Sequence, residues 1–319
     1  MKPAHQTALS LDLDNLWSYL LVHGDASWND YSSYLDRVVP VALGLLAERN
    51  LKITFFIVGI DAAMPAHKEI LWSIVEAGHE IGNHSHHHEP WLHRYQKDDL
   101  KRELETAHEA IAIATGEEPV GFRGPGYSIS PDGIGILDAM GYAYDASTLP
   151  TFIGPLARRY YFRSAGLTPE QRAEREYLFG KAREGLRPIK PYRWRASDGD
   201  VLEIPVTTSP LVRLPFHPSY FLYIAERSPG LARAYVKTSL AMCSVGGVTP
   251  TLLLHPLDFL GGDEIGELEF FPGMHTNGAT KRGRIGDYLD IIVEYGSVIS
   301  MNQYAAGLAG RSLKVLAAP

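Results

Sequence analysis

The chain has 319 residues and a single cysteine, Cys243. That excludes an intramolecular disulfide framework and any zinc module built on paired cysteines. Long apolar runs are missing as well; none approaches the ~20 residues that a membrane-spanning helix needs. The opening residues reach Asp12 and Asp14 before any apolar run of signal-peptide length. This predicts a protein without a secretory signal, placed in the cytoplasm. A basic excess is also absent: 30 Lys/Arg face 37 Asp/Glu, for a net charge of −7. A dedicated nucleic-acid binder, whose phosphate contacts need a basic surface, is therefore disfavoured. No Gly-rich dinucleotide turn follows the first strand-like run, which argues against a nucleotide-binding doubly wound sheet. What is abundant, locally, is histidine: four of the chain's 13 fall within residues 84–88.

Strand-like and helix-like segments alternate along the chain. Ala8–Leu13, Ile53–Val58, the run from Gly78 to Asn83, Gly121–Arg123, Tyr142–Tyr144, Val201–Pro205, Thr251–Leu254 and Val298–Ser300 read as strands. Several are short apolar runs rich in β-branched or aromatic residues, as strands buried on both faces should be. Between them, apolar stripes such as Ile70/Leu71/Ile74/Val75 and Leu100/Leu104/Ile111 read as helices, closed by Gly78 and Gly116. Ser130-Pro131 and Ser228-Pro229 open two more, and Ile285 to Val293 forms the last, closed by Gly296. Serine and proline at the start with glycine at the end is the asymmetry that helix termini favour. Alternation of this kind implies a parallel sheet covered by helices. Seven or eight such units fit a closed or nearly closed α/β barrel over residues 1–319, without internal repeats.

One segment departs from the pattern. Residues 151–200 hold eleven Lys/Arg against six acids, a local charge of +5, leaving −12 on the remainder. It reads as a basic insertion on the barrel, containing one capped helix start at Thr168-Pro169-Glu170-Gln171.

Four motifs fall where strands end. Asp12 and Asp14 alternate along the first strand and so leave it on one face. Carboxylates leaving a buried strand call for a cation or hydrogen bonds; the plainer reading is a solvated turn. His84 and His88, four apart in His84-Ser-His-His-His88, would sit side by side on one helical turn. Imidazole is the commonest metal ligand, and two imidazoles with a carboxylate leave a position open for water. His86 and His87, each taken singly, fit a supporting, substrate-facing or exposed position better than a ligand, and His79 fits a core histidine. Arg123, in Phe122-Arg-Gly-Pro-Gly126-Tyr127, can fork onto a carboxylate, and the glycines allow backbone N–H groups close to a ligand. Alone it reads equally as a Gly-Pro turn with a surface arginine. His255 ends the apolar run Leu252-Leu-Leu, and Asp258 follows three residues later, placed to orient it; a buried histidine bonded to backbone is the alternative. Active sites of α/β barrels gather at this face.

Together and in this order, these pieces resemble the polysaccharide deacetylase family, carbohydrate esterase family four, also called the NodB-homology domain. The matching pieces are Asp12-Leu-Asp14, His84-Ser-His-His-His88, Arg123-Gly-Pro125 and Leu252-Leu-Leu-His255, with Thr54 to Gly59 and Gly78 to Gly82 resembling the runs that precede the histidines. The resemblance covers about residues 8–149 and 250–304. It implies a distorted (β/α)7–8 barrel and a divalent metal, zinc in first place with cobalt, manganese or nickel also suited, on Asp14, His84 and His88. It further implies Asp12 as general base, Arg123 as its orienting partner and His255 as general acid. A backbone N–H near Gly126 or Tyr127 would serve the oxyanion, and Asp258 and His87 would support. Leu13 separates aspartates that are more commonly adjacent in the family, as in an Asp-x-Asp subgroup.

The activity so implied is hydrolysis of an N-acyl group, acetyl first, from an amino sugar or a sugar-containing precursor. Deformylation of a lipid-linked amino sugar and allantoinase-like hydrolysis of a cyclic ureide are the alternatives, with an inactive metal-binding module as a third. The expected partner is a small-molecule, glycan or lipid-linked sugar substrate, with no nucleic acid. The +5 segment is compatible with an anionic substrate or peripheral membrane contact, and self-association is left open. The aromatics at Tyr192, Trp194, Phe216, Tyr220 and Phe221 suit either sugar stacking or the core.

Overall fold

A computed structural model describes residues 5–156, 158–159, 167–176, 178, 180–197 and 199–319. Residues 1–4, and Arg163 and Asp198 of the basic segment, lie outside the described residues. The central strand is β1 (Gln6–Asp12), buried along all but its first residue. It pairs in parallel with β2 (Thr54–Ile57) on one side and β8 (Thr251–Leu254) on the other, with Ser10 opposite Thr54 and Leu253. From β2 the sheet runs on through β3 (Glu80–Asn83), β4 (Gly121–Phe122), β5 (Tyr144–Asp145) and β7 (Asp200–Glu203), all parallel. The two ends then meet. Beyond β7, Ile204 and Val206 donate backbone N–H groups to Asp145 and Thr148, while Thr207 N–H donates to the Thr251 carbonyl at 3.0 Å. That last bond and the Thr251 N–H to Thr207 Oγ1 bond (2.7 Å) join the β7 side to β8. Among the described residues the result is a ring of seven strands, the lower of the two numbers that the alternation allows, distorted because β4 and β5 are only two residues long.

Helices cover the outside. α1 (Leu16–His23) and α2 (Leu35–Ala47) follow β1; α3 (Gly59–Ala63) and α4 (Lys68–Glu76) follow β2; α5 (Lys97–Thr115) follows β3 and α6 (Pro131–Ala139) follows β4. α7 (Pro169–Glu174) opens on the capping box foreseen at Thr168, with Gln171 answering from the third position. α8 (Pro218–Ala225), α9 (Pro229–Gly246) and α10 (Gly278–Tyr295) close the far side. Outward strand residues Leu9, Leu11, Phe55 and Ile57 share one apolar cluster with Leu71, Ile74 and Ile111 of the helices. Burying such side chains is worth about 1.5–3 kcal/mol each. Inward residues Ala8, Phe56, Tyr144 and Leu202 form another cluster with Met301 and Tyr304 of α11 (Met301–Gly307). Met301 N–H bonds Thr54 Oγ1, and Asn302 N–H bonds Glu80. These are the first residues of β2 and β3, so α11 stoppers the N-terminal end of the barrel and leaves the C-terminal end for chemistry. Among the described residues, no helix is long and apolar enough to cross a membrane.

The last helix is α11, beyond the one closed by Gly296. The strand expected at Val298–Ser300 is β9 (Ser297–Ile299), which pairs with the start of β1. The basic segment holds sheet structure that the sequence reading did not include: β6 (Tyr192–Arg195) runs antiparallel to β7, and β10 (Val315–Ala317) adds to β6. Tyr192 and Trp194 accordingly belong to a third apolar cluster, as Phe216 and Phe221 belong to the first, whereas Tyr220 is exposed.

The β5–β7 register sets Asp145 opposite Glu203, both fully buried. Burial pushes both carboxyls upward, Glu203 further because Asp145 faces it, and the pair hydrogen-bond each other. The folded pair therefore holds a proton that the unfolded chain releases above about pH 4, so stability falls as pH rises from there toward the raised value. Glu203→Gln keeps an acceptor for Trp194 Nε1, now 2.9 Å from the carboxylate, and removes the charge. The variant is expected to melt about 2 °C or more above the wild type at pH 8 and to show a smaller gain at pH 5. Equal shifts at both pH values in a thermal melt would contradict the shared proton.

Candidate active site

The site lies where β1, β3, β4 and β8 end. Asp12 is the last residue of β1, and its side chain points into the barrel with Ser10. Arg123, just past β4, enters the same interior and is 1% exposed. One guanidinium nitrogen donates to Asp12 Oδ1 at 2.6 Å and to Ser10 Oγ at 2.8 Å; Nε donates to the Ala146 carbonyl at 3.1 Å. The Phe56 ring lies 4.3 Å beneath. A buried guanidinium is tolerated only when partnered in this way.

Asp14 comes two residues later and meets both histidines. Its Oδ1 is 3.2 Å from His84 Nε2 and 3.0 Å from His88 Nε2, and all three residues are buried. Burial alone would raise the Asp14 carboxyl, but His88 and His84 hold it well below the usual carboxylate range. Tyr34 Oη anchors the Asp14 backbone carbonyl at 2.6 Å. His84 Nδ1 lies 2.6 Å from the Arg123 carbonyl. A carbonyl can only accept, so Nδ1 carries a proton, and Nε2 is the atom left to meet the Asp14 carboxylate, either through a proton of its own or across a shared cation. Two acceptors at this distance repel unless a cation or a proton lies between them. A metal-ligating histidine commonly donates its second nitrogen to a backbone carbonyl in this manner. The three donor atoms lie within 4.8 Å of one another, and one carboxylate with two imidazoles suits a divalent cation with an open position.

His84 and His88 do not meet on a helical turn, contrary to the expectation from their spacing. Residues 84–88 form a bend in which Ser85 (φ 62°) and His88 (φ 54°) take left-handed backbone. Ser85 Oγ accepts the His88 N–H at 3.1 Å. Such backbone costs on the order of 1–3 kcal/mol per residue and persists where surroundings enforce it. The enforcing group is Glu103 on α5, buried, whose Oε1 accepts the N–H groups of His86 (2.8 Å) and His87 (2.7 Å). The His87 ring turns to Glu103 Oε2 at 2.6 Å instead of toward the triad; its support is to the loop and not to a ligand. His79 is the core histidine expected: Nδ1 accepts the Ile53 N–H, and burial lowers it to about 4.

On the opposite side stands His255, after β8. Asp258 accepts the His255 backbone N–H at 2.8 Å, and its own backbone N–H meets the His255 ring, so contact with the ring comes from the Asp258 backbone and not from its carboxylate. The His217 ring lies 5.0 Å from that of His255 at 34°. Burial, with His255 and Arg123 nearby, keeps His217 well below the usual imidazole value. One cavity of about 280 Å³ brings Asp14, His217 and His255 together. In the Arg123 turn, a Cβ on Gly124 would lie 2.0 Å from the Ser128 carbonyl, and Gly126 has φ +58°. The Tyr127 N–H is spent on the Gly124 carbonyl at 2.9 Å, leaving Gly126 as the donor of the pair that an oxyanion can use.

Sequence reasoning missed Glu103, His217 and Asp61. Asp61 on α3 accepts from Asn15 Nδ2 (2.6 Å) and Trp17 Nε1 (3.0 Å), and the edge of Trp17 abuts the His88 ring. Burial pushes its carboxyl up to about 6. Glu103 had a signal, since it lies on the apolar stripe of Leu100, Leu104 and Ala107 where a charge is out of place. Glu103→Ala is expected to weaken Zn²⁺ binding about 10–100-fold in a chelator competition, as loss of an outer support does; unchanged affinity would show that the loop holds itself.

Residues 25–144 match the family model described as polysaccharide deacetylase; His84, His88 and Arg123 fall inside the match. A peptidoglycan deacetylase-like protein of Gibberella zeae is 36% identical over 49% of this chain, which spans only 46% of that protein. A peptidoglycan deacetylase of Helicobacter pylori is 25% identical over 70% of this chain and 74% of its own length. In fold, the chain is similar to a crystal structure from Mycobacterium smegmatis described as a putative polysaccharide deacetylase, with TM-score 0.61 and 21% identity over 99% of this chain and 94% of the other. Residues 25–144 of the chain thus match the polysaccharide deacetylase family, and the chain as a whole is similar in fold to a structure described as a putative member.

Proposed function

We propose that the chain is a metal-dependent hydrolase that removes an N-acetyl group from an amino sugar within a glycan or a sugar-containing precursor. The observation that carries this reading is the Asp14 carboxylate facing two imidazole nitrogens, with His84 Nδ1 already committed to the Arg123 carbonyl. Asp14, His84 and His88 would hold the metal, zinc first among divalent ions that this donor set accepts. When bound, such a cation polarises the amide carbonyl and lowers the pKa of a water toward neutrality.

The remaining steps belong to side chains and backbone. Arg123 occupies Asp12 Oδ1, leaving Oδ2, 3.9 Å from His84 Nε2, to take the proton of the attacking water. A positioned base of this kind contributes about 10²–10⁴-fold. The Gly126 N–H is available to the oxyanion of the tetrahedral intermediate, as preorganised donors are in acyl transfer. His255, across the cavity from Asp14, donates a proton to the departing amine, which is otherwise a very poor leaving group. His217 beside it stays neutral and so adds no competing positive charge. The relatives described as peptidoglycan deacetylases support a glycan as the substrate.

Acetate release from N-acetylated glucosamine oligomers by the zinc-loaded protein is the expected result. Asp12→Asn should lower the rate about 100-fold or more while one metal per chain is retained by elemental analysis. His88→Ala should lose both. Full activity in Asp12→Asn would refute the base assignment, and no acetate from any N-acetylated sugar would refute the proposed function.

A further inference from the structure

Two cavities meet at His217. One is the pocket of about 280 Å³ that holds Asp14; the other, of about 870 Å³, runs past Gly126 and Tyr127. His217, Ser219 and His255 line both, so a substrate that spans them passes these side chains. The larger cavity lies within the roughly 300–1,000 Å³ usual for small-molecule sites, enough for a sugar that bears an acetamido group.

The His217 ring is held in one tautomer. It caps α8, and its Nδ1 accepts the Ser219 backbone N–H at 3.2 Å. A backbone N–H can only donate, so Nδ1 keeps its lone pair and the hydrogen of the neutral ring sits on Nε2. Burial, His255 and Arg123 all oppose a charge on this ring. The result is a fixed, uncharged N–H donor. Among the described residues, none accepts a hydrogen bond from that Nε2. Capping alone does not call for histidine, since Asn, Asp, Ser and Thr cap a helix best; the second ring nitrogen is what histidine adds here.

Two links set the position of this donor relative to His255. The rings lie 5.0 Å apart at 34°. Ser219 also gives a side-chain hydrogen bond to Asp258, whose carboxylate accepts the His255 N–H at 2.8 Å. In a 2-acetamido sugar the nitrogen-bearing carbon has two ring neighbours. The anomeric carbon is tied up in the glycosidic bond, and the other carries the free 3-hydroxyl. With His255 at the departing nitrogen, a donor held one ring away comes opposite that hydroxyl, an uncharged acceptor for an uncharged donor.

Resting on the deacetylase reading, we propose that His217 is a substrate-binding residue: its Nε2–H donates to the 3-hydroxyl oxygen of the N-acetylated sugar and so sets the acetamido nitrogen against His255. The enzyme then selects sugars that carry an oxygen at that carbon.

The test uses the full chain loaded with zinc and two probes, tetra-N-acetylchitotetraose and the tetramer with hydrogen in place of every 3-hydroxyl. Acetate release gives kcat/KM. The wild type should turn over the deoxy probe about tenfold more slowly, as loss of one such hydrogen bond implies. His217→Asn, whose side-chain oxygen still caps α8 but whose amide is shorter than the imidazole, should bring the parent tetramer down to the deoxy level and abolish the preference. His217→Gln, with an N–H near the place of Nε2, should recover part of it. Nitrogen-15 NMR of the unaltered protein needs no variant to fold: His217 should carry its hydrogen on Nε2, and the parent tetramer should shift that resonance more than the deoxy probe does. Equal kcat/KM for both probes in the wild type, a preference unchanged in His217→Asn, or a hydrogen on Nδ1 would overturn the inference. NMR shifts that follow the 3-hydroxyl, without acetate from either probe, would overturn the deacetylase reading and sustain the His217 assignment; acetate release at equal rates from both probes would do the reverse.

Discussion

The site turns on one hydrogen bond, His84 Nδ1 to the Arg123 carbonyl at 2.6 Å. It puts a proton on Nδ1 and so fixes the ring with Nε2 aimed at the Asp14 carboxylate. Everything around it is arranged to hold that confrontation in place. The loop from 84 to 88 is bent through two left-handed residues. Glu103 pins it from α5, and Trp17 and Asp61 back His88 from the other side.

Arg123 couples this centre to the second half of the chemistry. The same residue supplies the carbonyl that fixes His84 and the guanidinium that fixes Asp12. Candidate ligand and candidate base are thus oriented by one element, the end of β4. The Ser147 hydroxyl ties the next turn to the Asp145–Glu203 pair: it donates to Asp145 and accepts the Gly124 N–H at 2.7 Å. The buried acid pair therefore bears on the turn that presents Gly126, which gives a costly polar cluster a positional use.

The residues at strand ends were legible because strand and motif coincide there. The runs 8–13, 53–58 and 251–254 are apolar enough to be buried on both faces, so Asp12, Asp14 and His255 had to emerge at a mouth. Arg123 was legible as a motif, but its reach to Ser10 and Asp12, 113 and 111 residues away, belongs to closure of the barrel. The supporting groups were not legible for the same reason. Asp61 meets Asn15 across 46 residues and Glu103 meets His87 across 16, distances at which spacing carries no signal. The Tyr192–Arg195 strand was hidden by its own charges: alternating arginines read as a solvated insertion, whereas its tyrosine and tryptophan face the core. Tyr127 was nominated as an N–H donor because a glycine-rich turn exposes several, and only the turn's internal bond to Gly124 distinguishes it from Gly126.

The claim beneath the whole account is that Asp14 and the two Nε2 atoms enclose a divalent cation. Nitrogen-15 NMR of the histidine side chains during titration of the metal-free protein with Zn²⁺ tests it most directly. The account predicts saturation at one equivalent, with His84 and His88 shifting at Nε2 while His84 Nδ1 remains protonated on the Arg123 carbonyl. Saturation through Nδ1, or titration curves in which neither histidine responds, would contradict it.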